Sequence, residues 1–553
     1  MEALGEAMPL LMFAGLAIFL FSGYPVAFVL GGIGLIFALL TIQVDDFLFS
    51  WGQFGAIPSR IYGNISVSLI LTAIPMFIFM GTMLERSGIA RDLLNCLQVL
   101  LRRVPGGLAL AVTLMGTILA ATTGIIGASV VMMSLLALPV MMARNYSPSL
   151  ASGTIAASGT LGILIPPSIM LVIMADLLSR SVGNLFVAAV IPGFMLSGLY
   201  VLYIICRTKL TPSMAPPLPS NVGPQERLGI LMMVLRSFVP PIILIGLVLG
   251  SILAGYATPT EAAGVGAAGA ILLGLLNLVL VPTFGFIWIA PFYLGVSGLA
   301  ASAALFAIAS QSGIWPFHVG YSALTVAVIA AVFGLVRAFS DRADGADPHR
   351  FDDIDFSVEG ETQGDHGPGD RSNWQFFWST LKDVTYRTAL TNAMIFGIFI
   401  GATLFSFVFR AIGGEELVIH LVEAMGLGSW GLLFLILGIV FFLGFFFDWI
   451  EITLIVLPVF SPIIELLDFG THVDQVEIVY WFAILLAVNL QTSFLTPPFG
   501  FALFYLKAVA PPEIKIQAIY QGIIPFVLLQ LSGLGLVLAF PELALWLPRV
   551  LLD

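Results

Sequence analysis

Two proline pairs constrain this chain more than any other feature, because each lies inside an apolar segment long enough to cross a membrane. The first is Pro166-Pro167, within the run from Gly159 through Thr160 to Ser168; the second is Pro497-Pro498, within the run from Asn489 to Gly500. Proline has no N–H and collides with the preceding turn, so a pair breaks a helix. In hydrocarbon the freed carbonyls need partners, so such breaks persist only inside protein or beside a wet cavity. Paired interrupted helices in two halves of a chain point to the binding site of a secondary transporter.

Composition agrees with a membrane setting. The 553 residues are 59% hydrophobic and 10% charged, and apolar runs of spanning length recur from end to end. This predicts an all-α polytopic membrane protein; a barrel would show short alternating segments. Much of the net charge of −11 sits in one acidic stretch, 340–374, whose composition is that of a solvated loop. No Lys/Arg-rich tract suggests nucleic acid, Cys96 and Cys206 are isolated, and the five histidines show no metal-ligand spacing. No G-x-x-x-x-G-K-[ST] loop and no nucleophile–base constellation is present, so any pumping draws on an ion gradient or another subunit. The N-terminus lacks a basic region, so a cleaved signal peptide is not expected.

Charge at the segment ends supplies topology. Residues 8–42 are interrupted at Ser22-Gly23-Tyr24-Pro25, 43–67 are mixed and interfacial, and 68–84 form a span ending at Glu85-Arg86. The apolar stretch 107–143 has a small polar cluster at its middle, with Arg102 and Arg103 before it and Arg144 after it. Arginine at both ends places both in the cytoplasm, which is the signature of a re-entrant hairpin; the alternative is one long tilted helix with small residues for packing. A broken segment at 149–178 follows, then spans at 184–206, 238–254 and 260–281, and apolar segments at 285–309 and 321–338. Beyond the acidic loop, 374–387 reads as interfacial and 389–409 as a span. The flanks then change sign: Glu415 and Glu416 precede 429–464, and Glu465, Asp468, Asp474 and Glu477 follow it. This second hairpin opens to the outside, and the second broken segment, 479–509, comes directly after it. Hairpin followed by Pro-broken helix, twice and with reversed flanks, is an inverted repeat.

Asp448 and Glu451 are the ionisable pair deepest in apolar sequence, where a carboxylate has a functional role by default. They offer oxygens to a hard cation or a path for protons; alternatively they hold a helix N-terminus or sit at a solvated rim. Asn489, Gln491, Thr492, Ser493 and Thr496 give the second break a polar lining, and Ser158, Gly159 and Thr160 a thinner one to the first. Hydroxyls and unwound carbonyls suit Na⁺, while helix N-termini beside the breaks offer N–H groups to an anion. For any single hydroxyl the competing role is a bond back to a helix carbonyl.

Gly23-Tyr-Pro-Val-Ala-Phe28, Ile74-Pro-Met-Phe-Ile-Phe-Met-Gly81, Ile165-Pro-Pro-Ser168, Ala257-Thr-Pro-Thr-Glu-Ala262 and Thr496-Pro-Pro-Phe499 resemble the large membrane subunit of tripartite ATP-independent periplasmic (TRAP) transporters. The similarity runs in order over roughly 8–278 and 376–545. Asp448-Trp-Ile-Glu-Ile-Thr453 looks like the branch associated with mannitol, chloroaromatic or 2-oxo acid uptake. The resemblance implies an elevator-type Na⁺-coupled importer of an organic acid in the bacterial inner membrane. It also implies a small four-helix membrane subunit and a periplasmic substrate-binding protein as partners. On this view 1–84 are N-terminal scaffold helices, and 85–183 hold the first transport repeat. Residues 184–281 return to the scaffold, and 282–374 are an insertion with two extra spans and the acidic cytoplasmic loop. Residues 375–428 are interfacial and scaffold helices, 429–515 hold the second repeat, and 516–553 form the C-terminal span. The family's sodium sites lie at hairpin tips and neighbouring breaks, which points to Thr122, Gly124, Gly127, Ser129, Gly159 and Thr160 in the first half. In the second half it points to Asp448, Glu451, Thr492 and Thr496. Thr123, Ser168, Asn489, Gln491, Ser493 and Gly500 are the remaining positions at these breaks for contact with substrate. The tip sequence Gly124-Ile-Ile-Gly127-Ala-Ser129 departs from the family's commoner Ser-Gly-Ser run. The competing expectations are a self-sufficient anion symporter and a membrane enzyme chelating a metal at Asp448 and Glu451.

Overall fold

A computed structural model describes residues 2–45, 47–124, 126–219, 223–284, 373–497 and 500–552. The apolar segments at 285–309 and 321–338, the acidic loop up to 372 and Pro498 lie outside the described residues. Among those described there is no strand, and eight helices are long and apolar enough to cross a membrane.

Both hairpins are present. Gly107–Thr123 and Ile126–Ala143 form the first, turning through Gly124, whose φ of +57° is a left-handed conformation that glycine adopts without cost. Its two ends are tied where the Tyr146 hydroxyl accepts the Leu108 N–H at 3.1 Å. Ser429–Leu443 and Trp449–Ile464 form the second, and Ser429 Oγ accepts the Asp468 N–H at 3.2 Å across its open end. Each is followed by a broken helix. The first runs Pro148–Thr160, tightens to a 3₁₀ turn at Leu161–Ile163, and resumes at Ile169–Leu177. The second runs Ile478–Leu495 and resumes at Phe501–Val509.

Hydrogen bonds between distant loops sort the ends onto two faces. On one, Gly106 N–H donates to Ala215, Ser147 N–H to Met214 and Arg102 to Pro224, so 102–106, 147, 214–215 and 224 lie together with the mouth of the first hairpin. On the other, Arg180 pairs with Glu465 at 3.1 Å, Arg549 with Glu477, and His472 bonds the Leu538 carbonyl at 2.8 Å. The mouth of the second hairpin belongs to this face. The first face carries Arg86, Arg91, Arg102, Arg103, Arg144, Arg207 and Lys209 and is cytoplasmic by charge; the repeats therefore run in opposite senses through the membrane.

Two elements differ from the sequence-based expectation. Asn373–Ala411 is one continuous helix of 39 residues rather than an interfacial segment followed by a span. No proline or glycine occurs before Gly397 to interrupt it, and its solvated turns carry the Arg387–Asp383 pair at 2.8 Å. At 1.5 Å per residue it is about 58 Å long, roughly twice the hydrocarbon thickness. The segment expected to span at 68–84 is helical only over Ala73–Arg86, 14 residues, preceded by the helix Trp51–Ile61 and its π turn Tyr62–Ser66.

Close helix approach is built on glycine, as expected where lipid supplies no hydrophobic drive for association. The long helix crosses Val26–Val44 at Gly401, where a Cβ would fall 2.4 Å from the Ala27 carbonyl oxygen. Helix Ile516–Ala539 crosses the first broken helix at Gly522, where a Cβ would fall 1.9 Å from the Ser149 carbonyl oxygen. Backbone cannot retreat as a flexible side chain can. Gly522→Ala is therefore expected to destabilise the protein by about 1–3 kcal/mol, whereas Gly535→Ala, with nothing within 4 Å, is expected to leave it unchanged. Dye-monitored thermal unfolding of the purified variants in detergent reads the difference, and equal midpoints would refute the close crossing.

Candidate functional site

At each break the side chains repair what proline removes. Pro167 has no N–H for the carbonyl four residues back, that of Ile163, and Ser168 Oγ donates to that carbonyl at 2.6 Å instead. Pro497 leaves the Ser493 carbonyl, which accepts the Thr496 N–H at 3.2 Å, while Thr496 Oγ1 donates to the Thr492 carbonyl at 2.8 Å. Thr492 Oγ1 bonds Val488 at 3.0 Å, Ser493 Oγ bonds Leu490 at 2.8 Å, and Thr160 Oγ1 bonds Ala157 at 2.8 Å. Every one of these hydroxyls thus gives its proton to the helix and keeps lone pairs for another donor or a cation.

The hairpin tips press on the breaks. A Cβ on Gly124 would lie 2.9 Å from Ile169, the first residue of the helix that resumes after Pro166-Pro167. One on Gly127 would lie 2.7 Å from the Tyr505 ring, in the helix that resumes after the second break. The first tip therefore touches both broken helices. Gly159 abuts Val130 on the returning arm, with 2.4 Å to a hypothetical Cβ, and Ser129 on that arm is buried. Thr122 and Thr123 end the first arm. The second tip closes on its own break: a Cβ on Gly444 would meet Ser493 Oγ at 1.9 Å, and Asn489 Nδ2 donates to Leu437 at 2.7 Å.

Asp448 and Glu451 form a capping box at the start of Trp449–Ile464. Asp448 Oδ1 accepts the Trp449 N–H at 2.7 Å, and Glu451 Oε2 accepts the Asp448 N–H at 3.2 Å. This satisfies orphan donors at a helix start and brings two carboxylates to the second tip. Tyr505, 38% exposed, lies within electrostatic range of both, so one ring stands between the two tips. No group of three or more His, Cys, Asp or Glu capable of holding a metal exists among the described residues. Cation ligands at the tips would have to be hydroxyl and carbonyl oxygens with this pair.

Between the breaks lies a buried polar cluster only half visible in the sequence. Gln491 Nε2 donates to Thr160 Oγ1 at 3.4 Å, linking the two broken helices. Gln530 Nε2 reaches the same oxygen at 3.5 Å and the Tyr200 hydroxyl at 2.7 Å. Thr160, Gln491, Gln530 and Tyr200 are all 0% exposed. Helices Val182–Leu210 and Ile516–Ala539, which carry Tyr200 and Gln530, pack on the broken helices. Ser168, Asn489, Gln491, Ser493 and Gly500 are all buried, whereas Thr496 and Pro497 are half-buried. The Ser168 and Ser493 hydroxyls bond carbonyls of their own segments, while Asn489 and Gln491 reach neighbouring helices. Sequence reasoning missed Gln530, Tyr200 and Tyr505. The signal for Gln530 was a lone amide deep in an apolar span; nothing in the sequence marks either tyrosine.

Two larger cavities lie elsewhere, on opposite faces. One of about 680 Å³ on the cytoplasmic side is bounded by Glu85, Arg91, Met132, Leu136 and Asp383, between the long helix and the first hairpin. One of about 580 Å³ on the other side lies between the long helix, the end of the first broken helix and the second hairpin. Each cavity thus borders the returning arm of one hairpin.

A family model described as tripartite ATP-independent periplasmic transporter, DctM component, matches residues 13–337 and 374–543. The chain belongs to this family. The match is interrupted only across 338–373, which holds most of the acidic loop. The C4-dicarboxylate TRAP transporter large permease protein DctM of Pseudomonas aeruginosa is 25% identical over 481 residues, 87% of this chain and 86% of its own. The protein of the same name from Rhodobacter capsulatus is 24% identical over 98% of this chain and 99% of its own. The sialic acid TRAP transporter large permease protein SiaM of Vibrio cholerae is 24% identical over 96% of each. This chain is a large permease of the TRAP type, a multi-pass inner-membrane protein and not an enzyme. Its family is tripartite: the permease works with a small membrane subunit and a periplasmic binding protein.

Thr160 is the acceptor on which both buried amides converge. Thr160→Val is expected to strand the buried Gln491 amide, at about 1–3 kcal/mol, while Gln530 keeps its bond to Tyr200; Thr160→Ser is expected to retain both contacts. A thermal midpoint for the valine variant equal to that of the serine variant would show that the cluster does not hold the broken helices together.

Proposed function

We propose that this permease imports an organic acid anion, a 2-oxo acid or dicarboxylate, using an inward Na⁺ gradient. The observation that carries the reading is the meeting of each hairpin tip with a proline break. Such a junction gathers unwound carbonyls and hydroxyl lone pairs for a hard cation, and helix N-termini for a carboxylate. Na⁺ would be held by oxygens of the first tip with Gly159 and Thr160, and of the second tip with Thr492, Thr496 and the Asp448–Glu451 pair. The helices beginning at Ile169 and Phe501 would turn their N–H groups towards the anion. The dicarboxylate and sialic acid permeases among its relatives support an acid as cargo.

Movement follows from the same layout. The hairpins and broken helices would slide as one body against the scaffold built around the long helix, exposing the site first to one face and then to the other. Substrate would arrive on a periplasmic binding protein, and a small four-helix subunit would complete the membrane complex.

Proteoliposomes holding the permease and its small subunit, supplied with the binding protein and labelled 2-oxo acids or dicarboxylates, test this. Uptake should require both the Na⁺ gradient and the binding protein. Asp448→Asn retains the cap yet removes a charge, so it should raise the Na⁺ concentration for half-maximal uptake, as should Thr496→Val. Uptake by the permease without binding protein would replace this reading with a self-sufficient symporter.

A further inference from the structure

The periplasm-facing cavity is separate from the breaks, and its chemistry is specific. Along the long helix, Thr403, Ser406 and Arg410 line it at i, i+3 and i+7, so one helix face is polar where an apolar face would suffice against lipid. Arg60 enters from the helix Trp51–Ile61, and its guanidinium lies 5.5 Å from the centroid of Phe407. Phe407 and Arg410 are three residues apart and therefore neighbours on that face, so the two guanidiniums border the same space. No carboxylate pairs with Arg60 among the described residues. The one carboxylate in the wall, Asp176, accepts from Ser68 Oγ at 3.1 Å. The wall thus carries two cations and one anion, and of the two cations Arg60 is the one that no carboxylate among the described residues faces, since Glu415 lies against Arg410.

Arg410 has a second attachment. Its Nε faces Glu415 at 3.0 Å, and its Nη2 donates to the Pro458 carbonyl at 2.8 Å. Pro462 has no N–H for that carbonyl, which lies on the returning arm of the second hairpin. A scaffold arginine therefore completes the backbone hydrogen bonding of a hairpin across the cavity.

We propose that this cavity is a receiving site for a carboxylate anion on its way to the breaks, held between Arg60 and Arg410. The volume suits a small organic acid. A planar guanidinium held over an aromatic ring presents its N–H edge to a carboxylate, and Thr403 and Ser406 supply hydroxyl donors beside it. An anion bound at Arg410 competes with the Pro458 carbonyl for the same donors, so occupancy loosens the second hairpin from the scaffold. This rests on the import reading, and its test does not need transport.

Ser406→Cys, and independently Thr403→Cys, in a Cys206→Ser background place a thiol in the cavity of the permease–small-subunit complex. The rates of modification by a sulfonate and by an ammonium methanethiosulfonate are compared in nanodiscs. The anionic reagent should react faster by about tenfold, millimolar succinate should slow it, and Arg60→Gln with Arg410→Gln should erase the preference. Faster reaction with the cationic reagent, or a preference that survives both arginine substitutions, would overturn the proposal. Uptake in proteoliposomes by the unmodified permease, measured in parallel, separates failure of this site from failure of the import reading. If uptake is intact, Arg60→Gln should raise KM severalfold with kcat little changed, and an unchanged KM would count against the site.

Discussion

A backbone carbonyl without a partner is costly in hydrocarbon, and this permease arranges its working parts around that cost. Each proline pair creates such carbonyls at membrane depth. At the first break Ser168 returns a hydrogen bond to Ile163; at the second, Thr496 serves Thr492 while its own N–H turns to Ser493. The repair is local, which is why the chain can unwind there at all. It is also incomplete in a useful way, because the hydroxyls donate and keep their acceptor capacity. The competition between a structural bond and a binding role, which sequence reasoning posed as alternatives, dissolves at these positions: one oxygen can do both.

The hairpins follow from the same constraint. A chain that enters hydrocarbon and turns back must cover its turn with protein, and each turn is pressed against a neighbouring break. Glycine makes this possible by removing the side chain at the contact, at Gly124 and Gly127 in one tip and Gly444 in the other. The two halves solve the turn differently. The first uses left-handed Gly124, the second a capping box of Asp448 and Glu451. A carboxylate cap satisfies N–H donors and adds negative charge where the second tip meets Tyr505.

Much of this was legible in the sequence because it rests on residues with few alternatives. A proline pair beyond the first turn breaks a helix, and arginines on both sides of 107–143 cannot flank a single crossing without breaking the charge rule. What was not legible depends on pairing across hundreds of residues. Nothing local tells Gln491 that its partner is Thr160, or Arg410 that the carbonyl it completes belongs to Pro458. The division at 387–389 failed for a different reason. A change from amphipathic to apolar pattern marks a change of environment, and a helix without a breaker passes through that boundary unbroken.

The long helix also argues about the path of the cargo. Asp383 borders the cytoplasmic cavity and Thr403 the periplasmic one, and twenty residues of helix separate them by about 30 Å, the thickness of the hydrocarbon core. From Ala393 to Ala402 the sequence is AMIFGIFIGA, with no side chain able to hold an anion or an ion. Over that stretch Gly401 presses on the backbone of Val26–Val44, and among the described residues the long helix offers no continuous polar face from one cavity to the other. An anion held at Arg410, as proposed above, would therefore find no polar side chain along this stretch of the long helix. Among the described residues, polar groups at that depth gather instead at the breaks and on the helices packed against them, at Thr160, Gln491, Gln530 and Tyr200; under the import proposed above, a charged cargo would follow these groups and not the long helix.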